Sequence, residues 1–220
     1  MQGIIKEVLV QGQERQGRIK IVPLSELMSK DNTGEDIQHL RTLLSSYSCK
    51  LDKDIEVFLH DRAIDFECIS KTRTYLLCDN NFLCAEGKFV ILGYFSIALS
   101  VLDIPENVSN RTRKKLDGLS AKKHGNIINS IPCYLIGQLA KNSTIPKELS
   151  ISGTELLYHA FSVIRSAESI IGGRCILIEC HNDPKLIKFY EDNNFEIFEN
   201  IPFDNAPMVQ MLRPLCSTTL

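Results

Sequence analysis

The stretch between residues 131 and 195 decides the fold. It begins with an apolar run, IPCYLIGQLA at 131–140, which predicts a buried strand. Apolar residues then recur every three or four positions in GTELLYHAFSVIRSAESII at 153–171, which predicts an amphipathic helix. A second apolar run, CILIEC at 175–180, and a short helical pattern, LIKFYEDNNF at 186–195, follow. Strands that alternate with helices in this way indicate an α/β protein.

Local capping signals mark the ends of both predicted helices. Ser152 precedes the first helix and Glu155 follows three residues later. This is a capping box, in which a hydroxyl and a carboxylate satisfy free backbone N–H groups. Gly172-Gly173 closes that helix, and Asp183-Pro184 opens the next one with a cap followed by proline at the first helical position.

The rest of the chain of 220 residues adds further elements on both sides of this stretch. Helical patterns lie at 35–48 and from Asp54, taken as the cap, to residue 66. β-rich or apolar runs predict strands at 4–10, 18–24, 72–79, 88–99, 195–198 and 208–212. We therefore expect one domain over residues 35–220, preceded by an N-terminal extension, residues 1–34.

Composition excludes several classes of protein. Hydrophobic residues make up 44% of the chain, which is typical of a globular protein, and no apolar run is long enough to span a membrane. The net charge of −2 argues against general nucleic-acid binding. One local exception is the basic stretch, residues 111–123, in which Asp117 is the only acid. It is either a solvated face or a contact for RNA or phosphate.

The eight cysteines mostly lie inside apolar runs, where cysteine acts as a small hydrophobic residue. Neither a C-x-x-C pair nor another zinc-ligand spacing occurs, so we expect no metal site. Reduced, buried thiols predict a cytoplasmic protein.

A resemblance to a known family arises at these residues. The run at 131–140, the capped helix, the strand at 176–180 and the sequence FYEDNNF at 189–195 resemble the core of the GNAT acetyltransferases. That family often has LGRLAV in the strand before its cofactor loop and FYEKxGF at the end of its late helix. The resemblance covers about residues 50 to 213. It implies a central mixed, mostly antiparallel sheet, flanked by helices, with a splay between two parallel strands.

The resemblance implies transfer of an acetyl group from acetyl-CoA to a primary amine, on a small molecule or a peptide. The amides near Leu139, Ala140 and Lys141 would bind the pantetheine arm. Tyr190 matches the tyrosine that protonates the leaving thiolate in this family. The alternative for Tyr190 is a core aromatic, because it continues the apolar stripe of its helix.

The pyrophosphate loop of the family has the pattern Gln/Arg-x-x-Gly-x-Gly/Ala, and residues 148–153 align with it. Only Gly153 matches, and Glu148 replaces the cation. The residues expected to hold the cofactor, besides the three of the strand, are Lys147, Leu149, Ser150, Ile151, Ser152, Gly153, Thr154 and, for the CoA arm, Asn182. A helix start suits this task because its free N–H groups and dipole attract anions.

Other assignments are left with alternatives. Glu179 is either a proton acceptor for the amine or a paired strand acid. Arg73, Tyr94 and Tyr134 are candidates for contacts with the acceptor, although a core role fits both tyrosines equally. The arrangement also resembles GNAT toxins of toxin–antitoxin pairs, which acetylate aminoacyl-tRNA. A tRNA acceptor, a catalytically inactive binding module and a homodimer are therefore further hypotheses.

Overall fold

The computed structural model describes residues 18–28, 34–81, 89–201 and 207–215. The predicted strand at 4–10 and most of the N-terminal extension lie outside these residues. The described helices are α1 (Leu24–Leu27), α2 (Gly34–Leu44), α3 (Lys53–Val57), a π-helical turn (Phe58–Arg62), α4 (Ala63–Cys68), α5 (Asn110–Asp117), α6 (Gly153–Ile171) and α7 (Pro184–Asp192). Each of these helices is too short or too polar to cross a membrane.

The described strands form a seven-stranded sheet and a small hairpin. They are β1 (Ile19–Pro23), β2 (Arg73–Asp79), β3 (Ile91–Asp103), β4 (Lys122–Lys123), β5 (Asn126–Ile127), β6 (Ser130–Lys141), β7 (Cys175–His181), β8 (Glu196–Ile201) and β9 (Met208–Pro214). The sheet order is β1-β2-β3-β6-β7-β9-β8, and β4 pairs with β5. The sheet is mixed, since β6 and β7 are parallel whereas β7–β9, β8–β9 and β1–β2 are antiparallel. The predicted α/β class is confirmed.

The parallel pair is short. β6 pairs with β7 from Tyr134 to Ile136, opposite Ile176 to Ile178. β7 continues to His181 and stays paired with β9 along its whole length. The described β6–β7 pairing thus ends before either strand does.

The chain divides into two compact units. Unit 1 comprises residues 1–96 and 138–159. Its core is built from β1 to β3 and helices α2 to α4, with Leu44, Tyr47, Leu59, Leu76 and Tyr94 among its most buried side chains. β1 belongs to this unit and pairs with β2 in the register Ile19 to Asp79. The boundary at residue 34 stays a prediction, although β1 and α1 form on its N-terminal side.

Unit 2 comprises residues 97–137 and 160–220 and has a core of its own. Leu102, Ile131, Cys175, Leu177 and Leu212 are buried there. The β4–β5 hairpin, which the sequence did not suggest, turns through His124 and Gly125, both with positive φ. This conformation is the one that two-residue hairpin turns require.

The bounds of helix α6 match their prediction, whereas the start of helix α3 differs in detail. Helix α6 has the predicted bounds and ends at Gly172, whose φ is +75°. Helix α3 begins one residue before Asp54, and its cap is Asp52, whose side chain accepts the Asp54 N–H. Either aspartate has the side chain a cap needs, so the spacing of apolar residues could not choose between them.

Candidate active site

The end of β6 is fastened by one buried side chain, Asn142. Its Oδ1 accepts the backbone N–H of Ser48 at 3.2 Å and of Thr144 at 3.0 Å, and its amide donates to the Ile91 carbonyl at 2.8 Å. The Asn142 N–H itself donates to Leu92 at 2.8 Å. These bonds fix the strand that contains Leu139, Ala140 and Lys141. The sequence analysis missed this residue, because an asparagine in a polar loop indicates only a turn.

Leu139 and Ala140 are half-buried and Lys141 is exposed. Gly93 of β3 approaches them closely: a Cβ atom there would lie 2.9 Å from the Ala140 carbonyl oxygen and 3.3 Å from the Lys141 Cα. Gly93 therefore has to lack a side chain for β6 to reach its position.

The start of α6 has the predicted capping box. Ser152 Oγ accepts the Glu155 N–H at 3.0 Å, and the Glu155 carboxylate accepts the Ser152 N–H at 3.3 Å. The N–H groups of Gly153 and Thr154 form no hydrogen bond with the described part of the chain. The positive end of a 19-residue helix thus presents free donors.

The loop residues before the helix differ in burial. Lys147, Glu148 and Ser152 are exposed, Leu149 and Ser150 are half-buried, and Ile151 is buried. The Ile151 Cδ1 would be 3.2 Å from a Cβ on Gly93, so Ile151 packs on β3. The buried Ile151 thus anchors the loop, while Lys147, Glu148 and Ser152 are exposed to solvent.

Arg18 was not among the predicted site residues, yet it lies against this loop. Its Nε pairs with the buried Asp79 carboxylate at 2.7 Å, and its Nη2 donates to the Leu149 carbonyl at 3.3 Å. Arg18, Leu149, Ser150, Ile151 and Glu155 share the lining of one surface pocket. About a quarter of the Arg18 side chain (26%) is exposed. The cation beside this loop is therefore Arg18, the residue that precedes β1, and not a residue at position 148.

In unit 2, Tyr190 lies on α7 and is 7% exposed. Its ring contacts Phe189 and Phe195 edge-on, at 5.0 and 5.5 Å between centroids. Burial, and to a smaller extent the nearby Cys180 thiol, raise the pKa of Tyr190 above its ordinary value. Its hydroxyl forms no hydrogen bond with any residue that the structure describes. The ring of Tyr190 is thus part of the core, and its hydroxyl is protonated without an acceptor among the described residues. A core role and a role as proton donor are therefore compatible.

Glu179 and Asn182 lie near the end of β7, also in unit 2. Glu179 is exposed, and its Oε1 accepts the Gln210 amide at 2.8 Å from the facing residue of β9. Asn182 is exposed, and its backbone N–H donates to the Pro207 carbonyl at 3.1 Å. The next residue, Asp183, caps α7 as predicted, accepting the N–H groups of Lys185 and Leu186.

The three residues suggested for the acceptor are engaged within the fold. Tyr94 is fully buried in the core of unit 1 and its hydroxyl donates to the Ile55 carbonyl. Tyr134 is buried in unit 2 and donates to the Gly172 carbonyl. Burial favours the core alternative for both tyrosines. Arg73 is half-exposed and pairs with the buried Glu67 at 2.8 Å.

The basic stretch contains one buried cation, Arg113. Arg113 is buried, and its guanidinium donates to the carbonyls of Val108 (3.1 Å), Ile104 (3.5 Å), Ile128 and Pro105. This residue is neither part of a solvated face nor available to RNA. The exposed cations of the stretch are Arg111, Lys114, Lys115, Lys122 and Lys123.

Groups of three His, Cys, Asp or Glu side chains that could hold a metal ion do not occur among the described residues. Cys49, Cys78, Cys133, Cys175 and Cys180 are buried free thiols. Burial raises the pKa of the Cys78 thiol to about 12 and that of Cys180 to about 11, which makes them poor nucleophiles.

The sequence matches no protein-family model and no curated protein. Solved structures are nevertheless similar. AtaTR bound with AcCoA aligns over 90% of this chain and 94% of that chain, with a TM-score of 0.60 and 20% identity. A tyrosine-to-phenylalanine mutant of KacT aligns over 90% and 95%, with a TM-score of 0.60 and 15% identity. AtaT complexed with acetyl-methionyl-tRNAfMet aligns over 87% and 93%, with a TM-score of 0.56 and 19% identity.

AtaT and KacT are GNAT-fold toxins of toxin–antitoxin pairs. The similarity extends over most of both chains. The resemblance that the sequence predicted is confirmed, and this chain has the GNAT fold.

Proposed function

We propose that this protein is an acetyl-CoA-dependent N-acetyltransferase that acts on a primary amine. The observation that carries the proposal is the loop and helix start that follow β6 in a GNAT fold. Within unit 1, Gly153 and Thr154 have N–H groups without a partner among the described residues, and Ser152 has a hydroxyl at the same helix start. Ser150 and a partly exposed Arg18 line one pocket at the loop before it. Such a set of donors suits a pyrophosphate.

The loop fits the cofactor although it lacks most of the family pattern. Glu148 is exposed, and its side chain forms no hydrogen bond or ion pair with the other described residues, so no such bond holds it against the helix start. Arg18 supplies the positive charge that position 148 does not. Thr154 and Lys147 are exposed beside the loop and add a hydroxyl and a second cation. The backbone of Leu139 to Lys141, fixed by Asn142, would hold the pantetheine arm.

Acetyl-CoA supplies an activated acyl group as a thioester. Of this chain's own residues, Tyr190 would donate its phenolic proton to the leaving sulfur, because burial keeps the phenol protonated. Glu179 would accept a proton from the amine, directly or through water, since its Oε2 has no partner among the described residues. Asn182 is exposed after β7 and would bind the CoA arm.

Cofactor binding is tested by thermal unfolding with and without acetyl-CoA. A ligand at a hundred times its Kd adds about 2.7 kcal/mol of stability. We expect Arg18→Gln to weaken acetyl-CoA binding by about tenfold, the loss of one charge-assisted hydrogen bond. Arg41→Gln is the matched control, because Arg41 also pairs with an aspartate (Asp65, 3.5 Å) and donates to a carbonyl (His60, 3.4 Å). A folded wild-type protein without affinity for acetyl-CoA would instead indicate the inactive binding module.

Tyr190→Phe tests the proton donor. The tyrosine acts in its protonated form and its pKa is raised above 10.0 by burial, so wild-type turnover should not decline with rising pH until beyond pH 10. The phenylalanine variant should keep its affinity for acetyl-CoA and lose at least about a hundredfold in kcat. An unchanged kcat across the pH range would remove Tyr190 from the mechanism.

A second candidate acceptor is aminoacyl-tRNA, and the exposed cations of the basic stretch favour it. All five lie on α5 and the β4–β5 hairpin, and within the described part of the chain only Lys115 forms an ion pair, with Glu196 at 3.6 Å. Among similar structures, AtaT is complexed with acetyl-methionyl-tRNAfMet. If RNA binds here, Lys122→Gln with Lys123→Gln should reduce the salt dependence of binding by about two phosphate contacts. RNA binding with an unchanged salt slope would exclude this surface.

A further inference from the structure

The carboxylate of Asp79, at the end of β2, is buried and does not take part in the proposed acetyl transfer. Only 1% of the residue is exposed. Its Oδ2 accepts the Arg18 Nε–H at 2.7 Å, and its Oδ1 accepts the Asn81 N–H at 3.0 Å. A carboxylate is costly to remove from water unless a partner compensates its charge, and Arg18 provides that compensation.

Arg18 is held by the end of β2 at both its backbone and its side chain. The Arg18 carbonyl accepts the Asn80 N–H at 2.7 Å, while Asp79 binds Nε. Because the guanidinium is planar and rigid, the bond at Nε also fixes the directions of both Nη groups. Nη2 donates to the Leu149 carbonyl at 3.3 Å, and Nη1 forms no hydrogen bond with the described residues.

The loop before α6 has few backbone donors of its own on this side. The Leu149 and Ser150 N–H groups both donate to the Pro146 carbonyl, at 3.0 and 2.9 Å, so they are not available to an anion. Arg18 lines the same surface pocket as Leu149 and Ser150, and 26% of its side chain is exposed. The Nη1 hydrogens of Arg18 therefore supply donors where the loop backbone does not.

We propose that Asp79 is a positioning residue for the binding of acetyl-CoA. Asp79 does not touch the cofactor. Its carboxylate orients the Arg18 guanidinium, so that the Nη1 hydrogens are directed at a pyrophosphate bound by the loop before α6. This inference rests on the proposed N-acetyltransferase function, and it adds the residue that holds the cation of the cofactor site in place.

Charge alone predicts the opposite effect of Asp79. A carboxylate beside Arg18 offsets the positive charge that attracts a pyrophosphate, so its removal would strengthen anion binding by Coulomb attraction. Positioning predicts weaker binding, because a guanidinium without its bond at Nε has to be ordered when the cofactor binds. The direction of the change in affinity therefore separates the two roles.

The test measures binding of acetyl-CoA to the full chain by calorimetry. Asp79→Asn keeps the shape of the side chain but has one acceptor oxygen in place of two. We expect this variant to bind acetyl-CoA about tenfold more weakly than wild type, the value of one charge-assisted hydrogen bond. Arg18→Lys keeps the charge without the planar fork and should lose a similar factor. S-acetylpantetheine, which lacks the pyrophosphate, should bind both variants as it binds the wild type.

Glu67→Gln is the matched control. Glu67 is also a buried carboxylate of unit 1 with one arginine and one backbone N–H as partners. Its Oε1 accepts from Arg73 at 2.8 Å, and its Oε2 accepts the Thr74 N–H at 2.9 Å. Arg73 does not line the pocket at the loop. Glu67→Gln should therefore lose stability in urea as Asp79→Asn does, yet bind acetyl-CoA like wild type.

A double variant tests whether Asp79 acts through Arg18. Asp79→Asn added to Arg18→Gln should cause no further loss of affinity, because the group that Asp79 orients is already absent. Unchanged or tighter binding in Asp79→Asn, or an equal loss in Glu67→Gln, overturns the proposal. If Asp79→Asn does not fold, Arg18→Lys decides, since wild-type affinity there would show that charge suffices without position. Failure of the proposed function appears separately, because the wild type itself would then not bind acetyl-CoA.

Discussion

The sequence around Arg113 predicts an exposed cation, but the structure shows a buried one. It lies among exposed cations, yet its guanidinium is buried and donates to four carbonyls between Ile104 and Ile128. Arg113→Met would leave buried carbonyl groups unpaired, at a cost of about 1–3 kcal/mol for each group that water cannot reach. We expect unfolding in urea to show a loss of about 3 kcal/mol or more.

The adjacent Lys114 is the control for this prediction. Lys114 is exposed, and Lys114→Met should change the free energy of unfolding by no more than about 0.5 kcal/mol. Equal losses in the two variants would mean that the Arg113 guanidinium does not stabilise unit 2.

Glu56 is a second residue whose effect can be measured, because its lowered pKa makes the stability of the fold depend on pH. A hydrogen bond from Lys53, then those from the Cys49 N–H and the Ser48 hydroxyl (both 2.9 Å), lower the pKa of Glu56 from 4.5 to about 2. A carboxylate with a depressed pKa stabilises the fold above its unfolded pKa, and this contribution is lost as the pH falls. Stability should therefore decline as the pH falls from about 4.5 to about 2.

Urea unfolding at several pH values tests this. Glu56→Gln should be less stable than wild type at pH 7 and should show a shallower decline below pH 4.5. Glu106→Gln, at an exposed position, should follow the wild-type curve. A parallel decline in Glu56→Gln would assign the acid sensitivity to other groups.

Helix α6 is the element whose ends depend most on local signals. Its capping box satisfies the N–H groups of Ser152 and Glu155. Ser152→Ala should lower the free energy of unfolding by about 1 kcal/mol. Ser162→Ala, in the exposed middle of the same helix, should be neutral or slightly stabilising because alanine has the higher helix propensity. Thermal unfolding of the pair distinguishes a capping effect from the loss of any serine.

Elements set by local signals could be predicted from sequence, and contacts between distant segments could not. The capping box, Gly172 and Asp183-Pro184 are local, so α6 and the start of α7 match their predictions. The π-helical turn interrupts the predicted helix at 54–66 without any proline or glycine to mark it. The β4–β5 hairpin has polar, exposed strands, which lack the alternation that marks a half-buried strand.

For the whole molecule, the fold was predictable because the order of its elements resembles a known family. The site was predictable only in part. Arg18 reaches the cofactor loop across 131 residues, and no spacing rule connects it with Leu149. Asn142 fastens β6 to residues 48 and 91 in the same way.

The central claim is acetyl transfer from acetyl-CoA to a primary amine. The most direct measurement is release of the CoA thiol from acetyl-CoA by the purified full chain, with and without a panel of primary amines. The account predicts thiol release that requires the amine and equals the amount of acetylated amine formed. Acetyl-CoA that stays intact with every such amine, or thiol release that does not need the amine, would contradict it.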